Sequence, residues 1–135
     1  MKRSFVILFC GLLMSCSGTG TKNFSVINSV IEGAEKQKVF VGREKGLYNS
    51  AQLYEIILNG KYLGKLGNGE ILVSDSIKGT NYLEPPDGFK GNTVSFEGKN
   101  NSNNYFIVIY ECILCLIAEL KFLELTESSF RNVMQ

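Results

Sequence analysis

Residues 51–66 read AQLYEIILNGKYLGKL, with Asn59-Gly60 set between two apolar runs. A two-residue type I′ turn needs positive φ at both central positions, which Asn and Gly tolerate, and its twist matches that of the strands it joins. The stretch therefore predicts a β-hairpin with strands over Ala51–Leu58 and Lys61–Leu66. Gly67-Asn68-Gly69 supplies the next turn and Glu70–Ser74 (EILVS) a third strand, so three consecutive strands are expected as a meander. Before the hairpin, Val39–Arg43 alternates weakly. After it, the chain turns at residues 77–80, runs through a short strand at Thr80–Leu83, and bends at Pro85-Pro86-Asp87-Gly88, which no central strand can contain. Asn92–Glu97 places Val94 and Phe96 on one face, and residues 98–104 (GKNNSNN) form an exposed loop tip. Tyr105–Tyr110 (YFIVIY) and Leu116–Leu125 (LIAELKFLEL) are the most apolar strands and are expected at the centre. Thr126 suits an N-cap and Glu127 the first turn of a short helix reaching Met134. The pattern predicts a mainly β chain: a small antiparallel β-sandwich or open barrel with a short C-terminal helix.

The whole chain has 135 residues, 14 Lys plus Arg against 13 Asp plus Glu, four Cys, and neither His nor Trp. One small domain accommodates this length. A charge balance so near zero argues against a nucleic-acid partner, which calls for a basic stripe. Without His, a Ser-His-Asp or Cys-His hydrolase, a His-ligated zinc site and an H-E-x-x-H protease are all excluded.

The first sixteen residues, MKRSFVILFCGLLMSC, combine Lys2 and Arg3 with an apolar run from Phe5 to Met14, the order of a secretory signal peptide. That run is about 15 Å long as a helix, half the ~30 Å a bilayer core demands, so it targets rather than spans. Leu13-Met14-Ser15-Cys16 resembles the bacterial lipobox, and the resemblance implies that Cys16 is diacylated on sulfur and becomes the mature N-terminus. Cys10 competes poorly, because Leu8 and Phe9 before it are bulky and cleavage there would leave too short an apolar core. The expected division is a signal peptide over 1–15, a lipidated N-terminus and linker over 16–37, and a β-sandwich domain over 38–135. Loss of Lys2 and Arg3 leaves 12 basic against 13 acidic residues, an electrically bland mature surface. Ser17 is not the Asp that retains proteobacterial lipoproteins at the inner membrane, so in a Gram-negative cell the periplasmic face of the outer membrane is expected.

Residues 17–28 (SGTGTKNFSVIN) have the composition of a tether, about a dozen residues reaching roughly 20 Å from the lipid. Val26–Lys36 carries an apolar stripe at Val26, Ile27, Val30, Ile31 and Ala34 that fits a short helix, while Gly33 favours a loose linker; both readings stay open.

From Val39 to about Leu83 the chain resembles a family of bacterial lipoprotein domains of unknown function. The residues that carry the resemblance are Val39-Phe40-Val41-Gly42-Arg43, the hairpin Ile57-Leu58-Asn59-Gly60-Lys61-Tyr62-Leu63-Gly64-Lys65-Leu66, and Gly67-Asn68-Gly69-Glu70-Ile71. The N-G-K-x-x-G hairpin is shared with PEGA-like surface modules. The resemblance implies an envelope location and a β-sandwich and brings no catalytic residue.

Cys112-Ile113-Leu114-Cys115 is a C-x-x-C in a chain read as exported, where disulfides persist. In an extended strand, positions i and i+3 point to opposite faces and cannot bridge. A Cys112–Cys115 disulfide thus requires the chain to turn at Ile113-Leu114, making a hairpin of the flanking runs; a reduced pair and a redox pair are the alternatives. A metal would find only two ligands here, and no metal or cofactor is expected. Glu111, Glu119 and Glu124 lie among apolar residues and read as the wet face of a half-exposed sheet rather than as buried acids. Arg43 reads as a structural or surface ion-pair partner, with anion binding as the alternative. Tyr48, Tyr54, Tyr62 and Tyr82 read as cross-strand packing, with a sugar-binding face as the alternative. Gly64, Gly67 and Gly69 are turn glycines and no phosphate loop. The expected function is a non-enzymatic, membrane-anchored envelope lipoprotein that contacts an envelope protein or a cell-wall polymer. A periplasmic thiol-disulfide protein using Cys112 and Cys115 and a purely structural lipoprotein are the alternatives.

Overall fold

The structure, a computed structural model, describes residues 18–47, 50–85, 90–113 and 117–135. In chain order the elements are α1 (Phe24–Gly33), β1 (Lys38–Gly42), β2 (Tyr54–Leu58), β3 (Lys61–Leu66), β4 (Ile71–Asp75), β5 (Gly79–Glu84), β6 (Val94–Gly98), β7 (Asn104–Ile113), β8 (Ile117–Leu125) and α2 (Glu127–Met134). They form two four-stranded sheets, ordered β4-β1-β7-β8 and β3-β2-β5-β6. The fold is the expected β-sandwich, with no closed barrel and a short C-terminal helix. One pair departs from the antiparallel rule: β1 and β7 run parallel, with Phe40 opposite Tyr105.

The two sheets bury their facing sides against each other through Val39 and Val41 of β1, Phe106 and Val108 of β7, Leu120 and Phe122 of β8, and Tyr54, Ile56, Leu66, Leu83 and Phe96 of the other sheet. Part of the outer face of the β4-β1-β7-β8 sheet is buried as well. Ile27 and Ile31 of α1 and Phe130 and Met134 of α2 cover Phe40, Ile71, Tyr105 and Ile107 there. Phe40 stacks on Tyr105 at 5.0 Å between ring centroids, and Phe130 meets both rings from the helix side. The opposite sheet keeps its outer face in water, and its strands alternate accordingly, as in Tyr54–Leu58 with Tyr54, Ile56 and Leu58 buried and Glu55 exposed.

The Asn59-Gly60 turn is as read: Asn59 has φ 53° and Gly60 φ 71°, and Leu58 pairs with Lys61. The meander is not. After Gly67-Asn68-Gly69 the chain leaves the hairpin's sheet, and β4 pairs with β1, Val41 opposite Leu72. The cause is in EILVS itself. Ile71 is 1% exposed against the helices and Leu72 is 7% exposed between the sheets, so successive residues are both buried. Only a sheet covered on two faces can bury an unbroken apolar run. β7 is internal as expected, whereas β8 is an edge strand.

The helical reading of residues 26–36 is found one turn earlier, as α1, with Asn23 as N-cap accepting from the Ser25 N–H. The expected tether is replaced by packed chain. From Gly18 onward the backbone is hydrogen-bonded to the sandwich, so the folded unit takes in described residues well ahead of 38.

At the other terminus, the Thr126 hydroxyl accepts from the Ser129 N–H, as an N-cap does. Arg131 donates to the Glu127 carboxylate at 2.9 and 3.1 Å, and the Tyr105 hydroxyl donates to it at 2.9 Å. These bonds, Arg131 first and Tyr105 second, hold the Glu127 carboxyl below the ordinary carboxylate range. A depressed folded-state pKa gives stability that is present above the unfolded pKa and is lost as pH falls through the folded one. Acid unfolding followed by circular dichroism should accordingly show a small loss below the ordinary carboxylate range in the wild type that Glu127→Gln lacks.

Candidate functional site

The densest polar construction lies where the N-terminal segment meets the β3–β4 turn. Glu70 is 2% exposed, and its carboxylate accepts three backbone N–H groups: Gly18 at 3.1 Å, Gly20 at 3.3 Å and Gly67 at 2.9 Å. A buried charge is tolerated when hydrogen bonds replace its water, and three amide donors do that here. Around this clasp Thr19 donates its N–H to the Lys65 carbonyl at 2.8 Å and accepts the Lys65 N–H on its hydroxyl at 2.9 Å. Thr21 and Ile71 exchange both backbone hydrogen bonds, at 2.8 and 2.9 Å, which covers the outer edge of β4. The glycines serve close approach and not slack. A Cβ on Gly18 would lie 2.2 Å from Glu70 Oε2 and 2.3 Å from the Lys65 carbonyl oxygen. With both carboxylate oxygens engaged by fixed amides, Glu70 ties the N-terminal segment to the β3–β4 turn.

Next to it, Arg43 donates its N–H to the Glu70 carbonyl at 3.0 Å and turns its guanidinium over the Tyr54 ring, 4.4 Å from the centroid. It also donates from Nη1 to the Gln52 carbonyl. Burial pulls the guanidinium pKa down, opposed by Tyr54 and Glu70. Arg43 is thus a packed structural cation, 6% exposed. Beside it a cavity of about 220 Å³ is lined by Arg43, Glu44, Tyr54 and residues 107–110, and burial there pushes the Tyr54 hydroxyl pKa up.

The tyrosines part company. Tyr54 points inward and stacks on Tyr110 at 6.1 Å, while Tyr62 and Tyr82 stand 57% and 47% exposed on β3 and β5; Tyr48 lies outside the described residues. Glu111 and Glu119 face each other across β7 and β8, and Lys121 bridges them; Glu124 pairs with Lys99 at 3.0 Å. The acids do not share one wet face: Glu111 and Glu119 lie on the helix side of the sheet beyond the helices, whereas Glu124, opposite Phe106, lies on the face of Leu120 and Phe122 at its rim. Cys112 sits on β7 opposite Ala118, and Ile113 of β7 pairs with Ile117 of β8. Cys16 and Cys115 lie outside the described residues. Among the described residues, no group of three His, Cys, Asp or Glu is placed to hold a metal, and no helix is long and apolar enough to cross a membrane.

Sequence reasoning missed Glu70 and the glycines that wrap it. The signal was a G-x-G pair in the supposed tether and an acid set directly before an unbroken apolar strand. Comparison of the chain with protein-family models, with curated proteins and with solved structures gives no match.

Proposed function

We propose that this chain is a lipid-anchored lipoprotein of the bacterial envelope and acts there as a binding or interaction module without enzymatic activity. The observation that carries the reading is Leu13-Met14-Ser15-Cys16 placed at the end of a ten-residue apolar run behind Lys2 and Arg3. Two or three acyl chains on Cys16 would hold the domain on a bilayer where a single chain would not. Support also comes from the resemblance of the N-G-K-x-x-G hairpin to envelope lipoprotein domains. Ser17 favours the periplasmic face of the outer membrane in a Gram-negative cell. The clasp and the packed Arg43 read as devices that fix shape, which leaves the partner, an envelope protein or a cell-wall polymer, to be met by the outer surface.

Cys16→Ala is expected to move the protein from the detergent phase of a membrane extract to the aqueous phase, or to leave it as an unprocessed precursor. A wild-type protein found in the aqueous phase would overturn the reading. The thiol-disulfide reading stays the alternative, with Cys112 on β7 opposite Ala118 and Cys115 outside the described residues. A redox activity lost in Cys112→Ser would favour that alternative over the binding module.

A further inference from the structure

The packed N-terminal segment changes what a lipid at Cys16 can do. With Gly18 fixed to Glu70, Ser17 alone stands in the sequence between Cys16 and backbone held by the clasp. Two residues of extended chain span about 7 Å, against the roughly 20 Å of a free tether. The end of the sandwich that carries the Glu70 clasp must then lie against the headgroups.

That end has its own surface. The Asn68 side chain, in the same β3–β4 turn, accepts the Gly46 N–H and donates to the Gly46 carbonyl, both at 2.9 Å. This pins the neighbouring Leu47 at the clasp end with 98% of its area exposed, the most exposed large apolar side chain among the described residues. Lys22 and Lys45 border one small cavity with Asn68 and Gly69. Both are exposed, and neither forms an ion pair among the described residues; Glu44 is the exposed acid beside them. We infer that this end is a bilayer-contact surface, with Leu47 entering the headgroup region and Lys22 and Lys45 meeting the phosphates of anionic phospholipids. The inference rests on acylation of Cys16. A short anchor forces the contact, and an exposed Leu two residues from Lys45 at the same end is chemistry that an anionic interface accepts.

The chain has no Trp, so a single introduced one reports its own position. The acylated full chain carrying Leu47→Trp, or Ile77→Trp as a far-end control, is reconstituted into phosphatidylglycerol vesicles with and without brominated acyl chains. Ile77 is 56% exposed beyond the other end of β4, about 20 Å along the strand direction. The expected result is a blue-shifted Leu47→Trp emission that falls by more than half in brominated vesicles, with Ile77→Trp unchanged. Protein that floats with the vesicles while neither Trp is quenched would overturn the contact and leave the anchor standing. Quenching of both would overturn the end-on placement. Protein that does not float would overturn anchor and contact together. A concentration-dependent blue shift of Leu47→Trp without vesicles, and no quenching with them, would give the surface to a second copy of the chain and overturn the inference.

Discussion

Glu70→Ala should cost the fold about 2–4 kcal/mol, because it strips the acceptor from three amide N–H groups that no other described residue bonds. The loss is expected to be local in structure. Amide exchange of Gly18, Gly20 and Thr21 should accelerate far more than that of β1 and β7, since the segment can peel from β3 and β4 while the sandwich core stays packed. Gly18→Ala reaches the same end by another route, as its Cβ would overlap Glu70 Oε2 and the Lys65 carbonyl. Two changes that break one contact do not add, so the double variant should be little less stable than Glu70→Ala alone. Urea unfolding of the four proteins measures this. A Glu70→Ala variant within 0.5 kcal/mol of wild type, the range of an ordinary surface change, would mean that the clasp does not hold the segment.

Phe40→Ala should cost about 3–5 kcal/mol. Phe40 is fully buried in β1, stacked on Tyr105 and edge-on to Phe130, and its ring is the floor on which both helices rest. Its removal opens a void beneath α1 and α2 that neither helix can fill without leaving Ile71 and Ile107. Leu123→Ala, on the edge strand and half exposed, serves as the contrast and should fall within 0.5 kcal/mol of wild type. Equal costs for the two variants would contradict the three-layer packing.

The sandwich was legible because its turns are written in residue types that only turns need: Asn59-Gly60 at positive φ and the Asn-rich tip before β7, while the bend expected at 85–88 lies largely outside the described residues. Strand positions followed, and so did α2 from its Thr126 cap. What was not read was which sheet each strand joins, and the pattern contains only part of it. VFV in β1, ILV in β4 and YFIV in β7 are unbroken apolar runs of the sheet with helices on its outer face and TNYL in β5 alternates in the other sheet, but YEIIL in β2 carries an apolar run of its own, Ile56-Ile57-Leu58, and β8 is interrupted by Glu119, Lys121 and Glu124. Reading EILVS as a meander strand missed that distinction. The tether was misread for a related reason: small and polar residues mark slack chain, yet they also mark backbone in close contact, and composition cannot separate the two. Glu70 makes the difference, and two of its three partners are backbone amides about 50 residues away, which leave no trace in side-chain patterning.

Anchoring by a lipid immediately next to the clasp is the centre of this account, and intact-mass spectrometry of the protein extracted from membranes tests it most directly. The account predicts a chain that starts at Cys16 and carries the added mass of a diacylglycerol, with or without a further amide-linked acyl chain. A chain that begins elsewhere, or one that begins at Cys16 without lipid, would contradict it.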